Sequence, residues 1–442
     1  MTKEKEQKGL HISAKSFVTA ILVIFVLMIL TYGLTFIVPG GGIPFWKWAL
    51  SPVLVLASDD NVSLIAVLVF LLVIGGVFNC LDKCGLMQYM LDKITARFGK
   101  ERYKLLALVS LFFMAMGSFV GSFEESVPLV PIVVALAIRL GWDALTGVGM
   151  SLLAIGCGFA AGICNPFTVG VAQELAGLPM FSGMWFRAVS FAVVYALLFG
   201  FLARYAKSIE KPIEATSETI RFKQNQKMDK ALACFAGVMI VGIGIVLSSV
   251  VITVLQDYTM IIVAVTFLAS GIIASALSGR GGNLKRTFWN GMTTVFPAVF
   301  MILMVNSIKF TLVEGNILDT ILQMAIDIAN TLPSWFVILF IYAIVLGMNF
   351  FISSGSAKAF LLIPLIVPVA EAFGISAQLC IMAYAFGDGF SNVFYPTNPV
   401  LLIGLGVADV EYTKWVKWSW KFQGLNLLLT SGLLILGLVI GY

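Results

Sequence analysis

Apolar runs of 18 to 24 residues alternate with short polar stretches along most of this chain. About 20 apolar residues carry a helix across the roughly 30 Å hydrocarbon core of a bilayer. The pattern predicts an all-α integral membrane protein. Its first helix covers about 17–38, and an external loop follows with Trp46 and Trp48 as interface anchors. A second helix, about 62–81, returns to a basic loop. Two apolar legs, about 105–119 and 127–139, are only 15 and 13 residues long, too short to span. They predict a re-entrant hairpin over 105–139 with the tip Gly121-Ser122-Phe123-Glu124-Glu125-Ser126 at membrane depth. Irregular backbone is tolerated there only when buried in protein or lining water. A helix over 146–178 breaks at Asn165-Pro166-Phe167, and another occupies about 182–205.

Shifted by 233 positions, the chain meets itself. Identities fall at Pro131/Pro364, Gly141/Gly374, Ala144/Ala377, Gly156/Gly389, Asn165/Asn398, Pro166/Pro399 and Trp185/Trp418, with no gap. Several of these residue types dictate backbone geometry rather than fill space. This is a two-fold repeat. The second copy carries a hairpin over 334–373, with its tip at Ser353-Ser354-Gly355-Ser356, and a broken helix over 376–409 interrupted at Tyr395-Pro396-Thr397-Asn398-Pro399. The organisation is then 1–61, tail, first helix and external loop; 62–205, the first repeat; 206–258, a cytoplasmic linker and an extra helix (about 231–252); and 259–442, the second repeat.

Charge orients the copies. Stretch 83–104 holds six basic residues, whereas its counterpart 316–337 holds none and carries Asp319 and Asp327. Equivalent positions facing opposite sides of the membrane explain that difference. Nine crossings and two hairpins place the N-terminus inside and the C-terminus outside a cytoplasmic (inner) membrane.

Composition agrees and narrows the classes. Hydrophobic residues make up 60% of the 442 and charged ones 12%, with a mean hydropathy of +1.00; a soluble domain carries about 25% charge. The net charge of +5 sits in loops, as a membrane protein's bias requires, and does not point to nucleic acid. His11 is the only histidine, and the six cysteines show no metal spacing, so neither a metal site nor a His-based triad is expected. Cys80 and Cys84 read as packing residues. The polar start followed by a long apolar run without a small-residue cleavage pattern reads as a retained first helix.

Interrupted helices at repeat-related positions point to a transport site, because they free backbone groups for a solute or an ion. The candidate substrate-binding residues are Ser122, Glu124, Glu125, Ser126, Asn165, Pro166, Ser353, Ser354, Ser356, Lys358, Thr397 and Asn398. Glu124, Glu125, Asp388, Asn165 and Asn398 are candidates for a coupling ion or proton. A charge inside an apolar segment costs about 2.5–3.5 kcal/mol on insertion scales. The offset sets Glu125 opposite Lys358, so an acid and a base occupy equivalent tips; they could bind the solute, pair with each other, or Lys358 could stand in for a bound cation. Asp82, Asp92 and Asp143 lie at loop edges and read as solvated. Trp415, Trp418 and Trp420, interleaved with Lys414, Lys417 and Lys421, read as a cytoplasmic interface anchor.

At these tips and breaks the chain resembles the YfcC-type transporters, relatives of the C4-dicarboxylate anaerobic carriers within the ion transporter superfamily. The resemblance rests on Glu124-Glu125-Ser126 with Pro131, Asn165-Pro166-Phe167 with Gly170, the serine-rich tip 353–356, Phe386-Gly387-Asp388-Gly389, and Pro396-Thr397 leading to Tyr412-Thr413-Lys414-Trp415. It implies an elevator-type carrier, often a homodimer, for amino acids, frequently basic, or organic carboxylates. Two departures stand out: Asn398-Pro399 follows Pro396-Thr397 where the family usually has Ser-Gly, and Lys358 stands where it usually has an uncharged residue. The expected activity is symport or antiport of an amino acid or small carboxylate, with H+ or Na+ as coupling ion and no other cofactor. A plain C4-dicarboxylate carrier is the alternative within transport, and a channel or membrane receptor the alternative outside it. An enzyme is not expected: Glu124 and Glu125 are adjacent and diverge on any regular helix, with no histidine partner. Single cysteines near residues 95 and 325 should label with impermeant maleimides from opposite sides of the membrane; labelling from one side would break the inverted arrangement.

Overall fold

The computed structural model describes residues 14–38, 41–58, 61–98, 101–121, 123–179, 181–211, 224–248, 252, 258–279, 282–315, 317, 320, 324, 328 and 332–442. Every regular element among them is helical. The first part of the chain forms α1 (Ala14–Ile37), α2 (Asn61–Lys83), α3 (Leu86–Phe98), α4 (Arg102–Val120), α5 (Val130–Arg139), α6 (Ala144–Ala160), α7 (Val171–Leu175) and α8 (Met184–Ile209). The rest forms α9 (Gln226–Ser248), α10 (Thr259–Leu277), α11 (Leu284–Thr294), α12 (Phe296–Glu314), α13 (Ser334–Phe351), α14 (Gly355–Ala372), α15 (Ala377–Asn392), α16 (Pro399–Val407) and α17 (Tyr412–Ile440). Four described helices are long and apolar enough to cross a membrane: α4, α8, α14 and α17. A fifth span results if Leu68–Lys83 and Leu86–Ile94, bent by 72°, act together. Most of 316–331, opposite the basic loop, lies outside the described residues.

Element boundaries recur at the 233-residue offset. α6 and α15 open at Ala144 and Ala377, and the helical segments after the breaks open at Pro166 and Pro399. Packing is reciprocal in the same register: α1 lies on α12 and α10 on α2, while α7 lies on α14 and α16 on α5. At the centre α6 crosses α15. A Cβ on Gly389 would sit 2.1 Å from the backbone nitrogen of Ala160, and one on Gly156 would sit 2.4 Å from the Val393 side chain. These contacts exchange when 233 is added, the relation expected of two halves about a two-fold axis.

Three readings change on contact with the structure. Leg α4 has 19 residues, not 15, because Arg102, Tyr103 and Lys104 form its first turn: Glu210 accepts from Arg102 at 2.7 Å and from the Tyr103 hydroxyl at 2.5 Å. The partner leg of the second hairpin, α14, has 18 residues. The other leg of the first hairpin, α5, has 10 residues, too few to span, so that hairpin joins one long leg to one short one. Trp415 is no interface anchor, being fully buried and donating to Val393 O at 2.8 Å, and Trp48 likewise is buried and donates to Met28 O at 3.1 Å. Their helical position turns both rings inward, while Trp46 and Trp420 remain exposed. Asp143 is not merely solvated. It caps α6 through Thr146 N (2.9 Å) and accepts from the Tyr205 hydroxyl (2.7 Å), and Asp92 pairs with Arg139. Cys80 and Cys84 are buried and unbridged, as packing residues are.

Inserting a methyl where backbone already touches overpacks by about 1–3 kcal/mol. Gly389→Ala should therefore lower the thermal midpoint in detergent more than Gly156→Ala, whose obstacle is a side chain. Equal effects would mean that the crossing is not set by backbone contact.

Candidate functional site

The second hairpin turns within three residues. α13 ends at Phe351, Ile352 caps it, and Ser354 opens α14 by accepting from Ala357 N at 3.5 Å. Lys358 stands in the first turn of α14, and helical side chains lean back toward their own N-terminus. That lean carries its ammonium into the tip. There it donates to Asp388 Oδ1 at 2.6 Å, to Ile352 O at 3.3 Å and to Asn349 Oδ1.

Asp388 comes from α15, which Ser376 starts by capping Leu379 N at 3.1 Å. The flanking glycines explain its burial. A Cβ on Gly387 would sit 2.7 Å from the Val345 side chain of α13, and Gly389 presses on α6 from the other side. With both neighbours this close, Lys358 and Asp388 are each 0% exposed. Asn349 completes the cluster, donating to Asp388 O (3.1 Å), Ser391 Oγ (2.6 Å) and Asn392 Oδ1 (3.0 Å). Asn398 donates to the same Asn392 oxygen at 2.9 Å.

Not every polar atom is satisfied. Asp388 Oδ2, Thr168 Oγ1 and Thr397 Oγ1 are buried without a hydrogen-bond partner. Asp388 Oδ2 and the Thr168 methyl flank Gly355, where a Cβ would meet them at 2.7 and 2.6 Å. The tip of one hairpin, the helix before the second break and the segment after the first break thus meet at one sealed, polar point.

The two Asn-Pro dipeptides turn out to be helix starts. Asn165 Oδ1 accepts from Phe167 N (2.9 Å) and Thr168 N (3.3 Å), and Asn398 Oδ1 accepts from Leu401 N (3.1 Å). Asparagine at the cap with proline in the first turn is a favoured way to begin a helix. The first break is further held by Ser118, which donates to Ala161 O at 2.9 Å and accepts from Ile163 N at 3.0 Å. Arg187 donates to Ile163 O at 3.1 Å. The second break is held by Trp415 and by Tyr412, which donates to Phe394 O at 2.9 Å. Gly121 ends the first leg at φ +75, and a Cβ there would strike the Asn165 amide at 2.2 Å.

Of the residues singled out from the sequence, Lys358 and Asp388 meet at the second tip, Asn398 joins them through Asn392 and Asn349, and Thr397 is the buried neighbour of Asn398 in the chain. Asn165 lies at the first break and Ser126 donates to Phe123 O at 2.7 Å. Ser353 and Ser356 are half-buried and Ser354 exposed. Ser122 lies outside the described residues, as do the side chains of Glu124, Glu125 and Pro166. The partner of Lys358 is Asp388. Asn349, Thr168, Tyr384 and Arg187 were not anticipated. Tyr384 donates to Gly355 O, and Arg187 is buried among neutral acceptors, Ser182 O (2.8 Å) and the Tyr442 hydroxyl (3.2 Å) included. A lone asparagine in the apolar run 345–351 was the one available signal for Asn349.

Long apolar helices, interrupted helices and a charge pair sealed between them define a polytopic membrane protein of the transporter class. The chain belongs to the C4-dicarboxylate anaerobic carrier family, whose model matches residues 50–439. It is 29% identical over 401 residues to the "Putative basic amino acid antiporter YfcC" of Escherichia coli (strain K12), covering 86% of this chain and 78% of that one. An uncharacterised protein of Haemophilus influenzae is 24% identical over 398 residues, covering 85% and 76%. The YdaH transporter of Alcanivorax borkumensis superposes with a TM-score of 0.48 at 17% identity, over 96% of this chain and 99% of that one.

Removing one member of a buried pair leaves an uncompensated charge and costs about 3–5 kcal/mol, whereas an apolar or neutral replacement of both is often tolerated. Lys358→Met alone should depress the thermal midpoint in detergent strongly, and Lys358→Met/Asp388→Asn should recover most of that loss. Additive losses in the double variant would show that the two side chains do not act as a pair.

Proposed function

We propose that this chain is a secondary active transporter for an amino acid or related small carboxylate, working by alternating access between two inverted halves in the cytoplasmic membrane. The observation that carries the proposal is the Lys358–Asp388 pair sealed where the second tip meets segments adjoining both breaks. Ionisable residues inside a membrane bundle are costly and are kept for function. Here Asp388 and Thr168, which both flank Gly355, each carry a buried unpartnered oxygen, a polar contact available to a solute.

Reciprocal packing in register with the repeat supports the inverted halves, and the opposed charge of 83–104 and 316–337 supports their orientation, with the N-terminus inside. In this reading the hairpins move together against a scaffold built on α1, α2, α10 and α12 as an elevator, in a homodimer. The basic amino acid named for the YfcC relative favours an amino acid with a cationic group. The family description favours a second reading, a C4-dicarboxylate carrier, in which the lysine attracts an anion.

Uptake by proteoliposomes, with labelled arginine, lysine, aspartate and succinate offered singly and in competition, separates the two. The amino acid reading expects saturable arginine or lysine uptake that succinate does not inhibit. The folded Lys358→Met/Asp388→Asn protein should transport none of the four. Parent-like uptake by that variant would remove the pair from the transport site.

A further inference from the structure

We infer that the Lys358 ammonium is a built-in cation: it fills a monovalent-cation position at the second hairpin tip, so that transport by this chain does not require Na+ there. The inference rests on the transporter reading above and concerns its coupling ion.

Among the described residues, Nζ donates to three oxygens, an amide oxygen from Asn349, the carbonyl of Ile352 and a carboxylate oxygen from Asp388. Amide, carbonyl and carboxylate oxygens are the donors that bind hard cations. Ile352 is the C-cap of α13, so its carbonyl also lies at the negative end of a helix dipole. Half-helix ends with exposed carbonyls are where interrupted transporter helices hold Na+. The cage is assembled from two elements, α13 with its cap and α15, and Lys358 enters it from a third, α14.

Charge makes the two occupants exclusive. Among the described residues one carboxylate faces the cage, and with the ammonium in place the buried pair is neutral. A second monovalent cation beside it would leave a net positive charge with no water to screen it. The Asn349 amide is held in the orientation a cation needs, because its nitrogen lies among three oxygens that its two hydrogens can serve, and its own oxygen therefore faces Nζ. The amide and carbonyl oxygens of the cage are thus set by α13 rather than by the lysine. Removing the amine should leave a cation site rather than a hole.

Two measurements on the purified full chain test this. Wild-type uptake of the substrate identified by the panel is compared in NaCl and in choline chloride at equal ionic strength, and retention of the rate in choline is expected. The thermal midpoints of wild type, Lys358→Ala and Lys358→Ala/Asp388→Asn are followed against NaCl, LiCl and choline chloride. A saturable rise with NaCl or LiCl, absent in choline, is expected for Lys358→Ala alone, as ligand linkage requires. Loss of wild-type uptake in choline, or no cation-specific rise in Lys358→Ala, would overturn the inference. Should Lys358→Ala not fold, Lys358→Gln replaces it; should neither fold, the wild-type uptake comparison decides. If wild type takes up no member of the panel, the transporter reading is what fails, and the thermal series still decides the cation position.

Discussion

A carboxylate and an ammonium with no path to water constrain everything around them. Each tolerates burial only while the other, and enough neutral dipoles, stay within hydrogen-bond reach. The sequence around Asp388 meets that demand twice over. Glycines on either side bring α13 and α6 to backbone distance and shut out solvent, and Asn349 reaches across from α13 to tie Asp388, Ser391 and Asn392 into one network. The hairpin turn then has little freedom, since Lys358 must arrive from the opposite leg at the right height.

The halves share a plan but not a chemistry. The second half invests its charges at the tip. The first secures its break with neutral groups, Ser118 and the Asn165 amide, and with an arginine that touches only uncharged acceptors. An ancestral symmetry of shape has been kept at the glycine crossing, where Gly156 and Gly389 play matching parts, and abandoned where the ligand-facing polarity lies.

What could be read in the chain followed from local chemistry. Asn-Pro is a helix start, so both breaks were visible at the right residues, and the repeat was visible because Gly, Pro and Asn resist drift in backbone role. The pairing of Lys358 with Asp388 was not visible. The residues lie 30 apart, on separate helices, and only tertiary packing decides whether a lysine meets the aspartate of its own half or a glutamate of the other. The tryptophans misled for a related reason. A run of Trp and Lys reads as an interface belt, but Trp415, Ser419 and Phe422 fall on one helical face and turn inward together. The first leg alone ran longer than it read, because the charged residues Arg102 to Lys104 are the first turn of its helix.

The asparagine caps carry a consequence for selectivity. After the first break Pro166 offers no N–H, and the next two N–H groups are already spoken for by the Asn165 side chain. The positive end of this half-helix is therefore occupied by an uncharged tenant tethered beside it. An incoming anion would have to evict an amide that has no translational entropy to lose, and a weak acceptor would not manage it. On the transporter reading proposed above, such a seat would sort anions by the strength of their negative charge before any side-chain pocket is consulted.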